Sequence, residues 1–113
     1  MSRICVDVQM SVIRGPRWKW PTASHLFHLD YDIAALDAFA ISIGLKRSWR
    51  HDLPGFIHYD LHQTHRDKAV AAGAREVSRA DADYCAFLRS RHLRASAKST
   101  DAERGGDGMG VGK

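Results

Sequence analysis

The sequence predicts a small single-domain α/β protein with a short, largely parallel sheet and flanking helices. Three observations carry the prediction. The chain has 113 residues, room for one hydrophobic core but not for two. Short β-branched or aromatic runs alternate with stretches of helical apolar spacing. Capping residues and glycines fall at the joints between them.

The elements follow in order. Ile4-Cys5-Val6-Asp7-Val8 is β-branched and bounded by polar residues, so it reads as a strand. A loop rich in Arg, Trp and Pro runs from Arg14 to Ala23. Asp30 or Asp32 can cap a helix whose apolar positions Ile33, Leu36, Phe39, Ala40 and Ile43 recur at helical spacing, with Gly44 at its end. Leu53-Pro54-Gly55 is a turn, and Phe56–Leu61 a second strand. Thr64 is placed to cap a short helix over His65–Ala72, which Gly73 ends. Ala74–Val77 is a brief third strand. Ser78-Arg79-Ala80-Asp81 opens a last helix with the apolar stripe Ala80, Tyr84, Phe87 and Leu88.

Composition changes near Arg94. Residues 95–113 hold five of the nine glycines, no aromatic residue, and three positive charges balanced by three negative ones. Such a segment buries too little apolar surface to offset its ordering entropy. The expected division is an α/β domain over 1–94 and a disordered tail over 95–113, with the net charge of +4 falling on the domain.

Several classes are excluded. No apolar run approaches the roughly 20 residues a membrane helix needs, and the opening Met1–Asp7 segment lacks the apolar stretch of a signal peptide. Cys5 and Cys85 form no CxxC pair, which removes a Cys-only zinc site and leaves two reduced thiols, expected to be buried, in a cytoplasmic protein. There is no GxxxxGK[ST] loop, no GxGxxG and no GxSxG elbow.

Three features can carry chemistry. The densest polar cluster is His58-Tyr59-Asp60-Leu61-His62-Gln63-Thr64-His65. In a strand continued through His62, side chains alternate, so His58, Asp60 and His62 face one way and can ligate a divalent metal. The alternative is a structural hydrogen bond between His58 and Asp60, with His62 and His65 solvated. Asp7, at the end of the first strand, can face a ligand crevice as metal ligand or base, or serve as a turn or cap. The third feature is basic and aromatic, Arg14-Gly15-Pro16-Arg17-Trp18-Lys19-Trp20, echoed by Lys46-Arg47-Ser48-Trp49-Arg50. Cations neutralise phosphates and indoles stack on unpaired bases, although Trp beside cations also occurs in ordinary packing.

Several segments together resemble the bacterial and phage domain-of-unknown-function family 4031. They are Val6-Asp7, Ser24-His25-Leu26 within Trp20–Asp30, Leu36-Asp37-Ala38-Phe39-Ala40 with Ile43-Gly44-Leu45, His58-Tyr59-Asp60, Arg66–Ala74 and Val77-Ser78, spanning about residues 4–90. The family pattern has a Leu-His pair where this chain has Leu36-Asp37, so no role for that histidine carries over. The resemblance implies a small cytoplasmic protein, often phage-borne, of no established activity, and directs attention to Asp7, His25, His58, Asp60 and Arg66.

The expected function is binding or processing of a phosphate-bearing ligand, a nucleotide or nucleic acid, with a divalent metal as the candidate cofactor. Asp7, His58 and Asp60 form the expected catalytic centre, and Arg17, Trp18, His25 and Arg66 the expected ligand contacts. The alternative is a non-enzymatic protein-binding module, such as a phage factor blocking a host or defence protein through its Trp-rich loop.

Overall fold

A computed structural model describes residues 3–16 and 18–96. The strands are β1 (Ile4–Val6), β2 (Met10–Ser11), β3 (Thr22–His28), β4 (Arg50–Leu53), β5 (Phe56–Leu61) and β6 (Arg75–Glu76). The helices are α1 (Ile33–Ser42), α2 (Gln63–Ala71) and α3 (Ala82–Arg89), with a 3₁₀ turn over Arg47–Trp49. Residues 91–96 are also helical, so Ala95 and Ser96 belong to an ordered element rather than to the expected tail. The rest of that tail, 97–113, lies outside the described residues.

The sheet order is β4-β5-β3-β1-β6, with β2 paired to another stretch of β3. Only β1 and β6 pair in parallel; β1–β3, β2–β3, β3–β5 and β4–β5 are antiparallel. The expectation of a largely parallel sheet is therefore corrected to a mixed, mostly antiparallel one. The physical reason is β3, whose first two residues fall in the expected Arg14–Ala23 loop and to whose remainder the sequence assigns no strand. It enters between β1 and β5 and runs against both. Those two strands still point the same way, as does β6, but they are separated by β3 instead of joined to each other.

Local sequence explains most elements. Asp32 caps α1, its carboxylate accepting from the Ala35 amide at 3.1 Å. Asp81 caps α3 by accepting from the amides of Asp83 and Tyr84. Helix α2 is capped by His62 and not by the expected Thr64: the His62 ring accepts from the Thr64 amide at 3.2 Å. In the β4–β5 hairpin, Gly55 has φ +70°, and a Cβ there would lie 2.2 Å from the Arg91 carbonyl oxygen. Only glycine fits between that turn and the C-terminal helical residues. Arg91 and Arg94 fasten the same turn, donating to the carbonyls of Pro54 and Gly55.

Period-two alternation divides the side chains between the two faces of the sheet. Val6, Leu26, Ile57, Tyr59 and Leu61 meet Leu36, Ala40 and Ala69 of α1 and α2 in one cluster. Cys5, Phe27 and Phe56 meet Tyr84 and Phe87 of α3 in the other. Ala80 precedes α3 and is exposed, so it drops out of the expected stripe.

Phe87 is 4% exposed and stacks on Phe27 at 4.9 Å, whereas Phe39 is only partly buried. Phe87→Ala is expected to cost about 3–5 kcal/mol, the range for a deleted core aromatic, and Phe39→Ala distinctly less. Urea melts of the two variants check the order.

Candidate functional site

The sheet register builds a polar row on the face that α3 covers only in part. His51 pairs with His58 across β4–β5, and His25 pairs with Asp60 across β3–β5. Asp7 follows β1 directly, its amide donating to the His25 carbonyl. His58 and Asp60 are two residues apart on β5 and so share a face with His25. Four neighbouring strand paths thus bring Asp7, His25, Asp60, His58 and His51 together. Phe27, Phe56, Tyr84 and Phe87 form the apolar half of the same face.

Asp7 is 4% exposed and fully engaged. Its Oδ1 accepts from the His25 amide at 2.7 Å, and its Oδ2 accepts from His25 Nδ1 at 2.7 Å and from the Tyr84 hydroxyl at 2.9 Å. A carboxylate accepting these bonds fixes the His25 proton on Nδ1 and turns Nε2 outward. His58, 3% exposed, is fixed in the same sense: Nδ1 donates to the Phe56 carbonyl at 2.9 Å. Both Nε2 atoms face Asp60 Oδ1, from His58 at 3.3 Å and from His25 at 3.9 Å. His51 Nε2 reaches the other oxygen, Asp60 Oδ2, at 3.3 Å.

With both Nδ1 atoms acting as donors, neutral rings at His25 and His58 present lone pairs to a carboxylate that also only accepts. Such an array is satisfied by a proton or by a cation. Burial pulls His25 towards the neutral form, but the hydrogen bond and charge of Asp7 outweigh it and raise its pKa. Burial works against ionised Asp60, and the surrounding histidines overcome it and lower its pKa. One ligand atom each from His25, His58 and Asp60 lies within 4.8 Å of the others, a separation suited to a shared ion.

The residues expected from sequence separate into two groups. Asp7, His25, His58 and Asp60 come together. His62, expected as the third metal ligand, does not join them. Strand β5 ends at Leu61, and capping α2 turns His62 away to stack on Trp20 at 4.3 Å and on His65 at 4.3 Å. Arg66, expected to meet phosphate, uses Nε and Nη2 on the Asp7 carbonyl and Nη1 on Glu76. It fastens α2 to the end of β1. Arg17 lies outside the described residues. Sequence reasoning missed His51, because Arg50–Leu53 carries no strand signal; its pairing with β5 only appears once the hairpin closes.

Beside the polar row lies a cleft of about 540 Å³ lined by Trp18, Trp20, Trp49, His62 and His65, with Asp60 and His51 at its edge with the row. Trp18 and Trp20 meet edge-to-face at 4.8 Å, and Trp49 lies 6.2 Å from His65. Burial lowers the pKa of His62 and of His65, and the Lys68 charge adds to this, which favours neutral rings. On the far side of His25 a smaller cavity of about 200 Å³ opens between Asp7, Met10 and Tyr84. Burial pushes Cys5 up to about 11, and Cys85, half-buried rather than buried as expected, donates to the Arg79 carbonyl.

These features define a small α/β domain of mixed sheet whose polar centre joins two histidines and a carboxylate beside an aromatic cleft. A family profile described as protein of unknown function (DUF4031) matches residues 12–98, and the chain belongs to that family. No curated protein and no solved structure gives a significant match. Among the described residues, no helix is long and apolar enough to cross a membrane.

Removing the Asp7 carboxylate strands the Tyr84 hydroxyl and the His25 Nδ1–H, each at a cost of about 1–3 kcal/mol. Asp7→Ala is therefore expected to destabilise the domain clearly in a denaturant melt, whereas His51→Ala, at an exposed edge-strand position, should shift the midpoint little.

Proposed function

We propose that this protein is a divalent-metal-dependent protein that binds or processes a phosphate-bearing ligand, a nucleotide or nucleic acid. The observation that supports the reading most is the aim of two imidazoles. His25 and His58 each have Nδ1 occupied by a fixed acceptor and Nε2 directed at the Asp60 carboxylate. Metal-ligating histidines have this outer arrangement, a carboxylate behind one ring and a backbone carbonyl behind the other. Mixed nitrogen and oxygen donors suit a borderline cation such as Zn²⁺ or Mn²⁺.

Three protein ligands leave positions open for water and for a phosphoryl oxygen, where a bound cation stabilises developing charge. Asp7 acts through His25 as a positioning residue. His51, on the other oxygen of Asp60, is placed to hold that carboxylate or to complete the ligand set. The aromatic cleft supplies the surface for the rest of the ligand. Two unpaired cysteines suit a reducing compartment, and we place the protein in the cytoplasm.

Isothermal titration of the metal-stripped protein with Zn²⁺ and with Mn²⁺ tests the reading. One ion per chain is expected, lost in His58→Ala and in Asp60→Asn and retained in His62→Ala. No binding of either ion by the folded protein would overturn it. That result would leave the other reading, a non-enzymatic module engaging a host or defence protein.

A further inference from the structure

We propose that the tryptophan cleft is a stacking site for consecutive unpaired nucleotides, so that the ligand of this protein is a single-stranded nucleic acid. The proposal deepens the preceding reading and rests on it for the phosphate placed near Asp60. The stacking surface itself is separate from the metal ligands.

Two Trp–Lys units flank the cleft, the indoles lining it and the lysines beside them. On one side Trp18 and Trp20 precede β3, with the Lys19 ammonium 5.4 Å from the Trp20 ring centre. On the other, Trp49 stands in the 3₁₀ turn before β4, with the Lys46 ammonium 5.7 Å from its ring. Each unit pairs a flat apolar face, which takes any base, with a cation for the neighbouring phosphate. Neither lysine has an acidic partner among the described residues. By contrast, Arg47 and Arg50 beside the cleft are committed to Asp37, and Arg50 also to Asp52. Among the described residues, the only acid lining the cleft is Asp60, the residue shared with the candidate metal centre.

The repetition argues for a strand over a lone nucleotide. A single base and phosphate satisfy one unit and leave the other unused. His62 and His65 stand between the two sides as a stack with Trp20, His62 lying 4.3 Å from each of the other two rings, and so hold the indoles apart. A duplex cannot use this surface, because its bases are already stacked internally. One face of Trp20 is taken by His62 at 4.3 Å, but Trp20 is half-buried rather than buried and Trp49 is 45% exposed, so each indole leaves ring surface towards solvent.

The test is quenching of tryptophan fluorescence in the full chain, in EDTA, by oligothymidylate, by thymidine monophosphate and by a mixed-sequence duplex. Oligothymidylate is expected to bind most tightly, and Trp49→Ala, at an exposed position, to weaken it by about tenfold, within the range for one lost base stack. Two lysine–phosphate contacts predict a slope of log K against log salt of about −1.4 for a single strand. Lys19→Ala with Lys46→Ala should flatten that slope, with an unchanged circular dichroism spectrum. Equal affinity for the monophosphate, preference for the duplex, or no quenching by the strand would each overturn the proposal. Because the titration contains no metal, these outcomes are independent of whether Zn²⁺ or Mn²⁺ binds.

Discussion

The buried carboxylate of Asp7 is the constraint on which the rest of this structure depends. A charged group at 4% exposure is costly unless its oxygens are satisfied, and here the satisfying donors come from β3 and from α3. The backbone carbonyl of the same residue receives the Arg66 guanidinium of α2. One residue therefore joins β1, β3, α2 and α3. Its second consequence is chemical, since it fixes the His25 tautomer and so decides which nitrogen faces the open side of the sheet.

The partition of one sheet face explains why polar side chains gather at that point. Helix α3 lays Tyr84 and Phe87 over Cys5, Phe27 and Phe56, and this buried half holds the helix in place. Along the same strands the alternation continues to His25, two residues from Phe27, and to His58 and Asp60, two and four residues past Phe56. The alternation that puts Phe27 and Phe56 under the helix necessarily puts His25 and His58 on the same face beyond it. Tyr84 stands at the border, its ring stacked on Phe27 and its hydroxyl bonded to Asp7. Core packing and site geometry are thus coupled through a single side chain, and a helix displaced from its apolar seat takes the hydroxyl away from Asp7.

Asp60 joins the two candidate binding features. It receives three imidazoles on its two oxygens and also lines the aromatic cleft. His62 serves the cleft and not the polar row because it ends a strand and begins a helix. The change in backbone direction at that residue separates the polar row on one side from the aromatic cleft on the other.

Local chemistry was legible in the sequence by itself. Strand β5 is legible with its bounds, α1 by apolar spacing and an Asp cap, α2 and α3 nearly so, and Asp7, His58 and Asp60 stand out as candidate site residues. These depend on periodicities and caps within a few residues, and such signals survive without tertiary context. What the sequence could not show is β3 and β4. Thr22–His28 holds a single β-branched residue, with Ser24 and His28 buried among apolar neighbours, and Arg50–Leu53 is polar and mostly exposed. Both are strands because neighbouring strands offer hydrogen bonds to them, a condition written elsewhere in the chain. That pairing alone turned a supposed parallel sheet into a mixed one, and it replaced His62 by His25 beside Asp60. The identity of the polar residues is local information. Their meeting is a matter of strand register, which only the folded sheet decides.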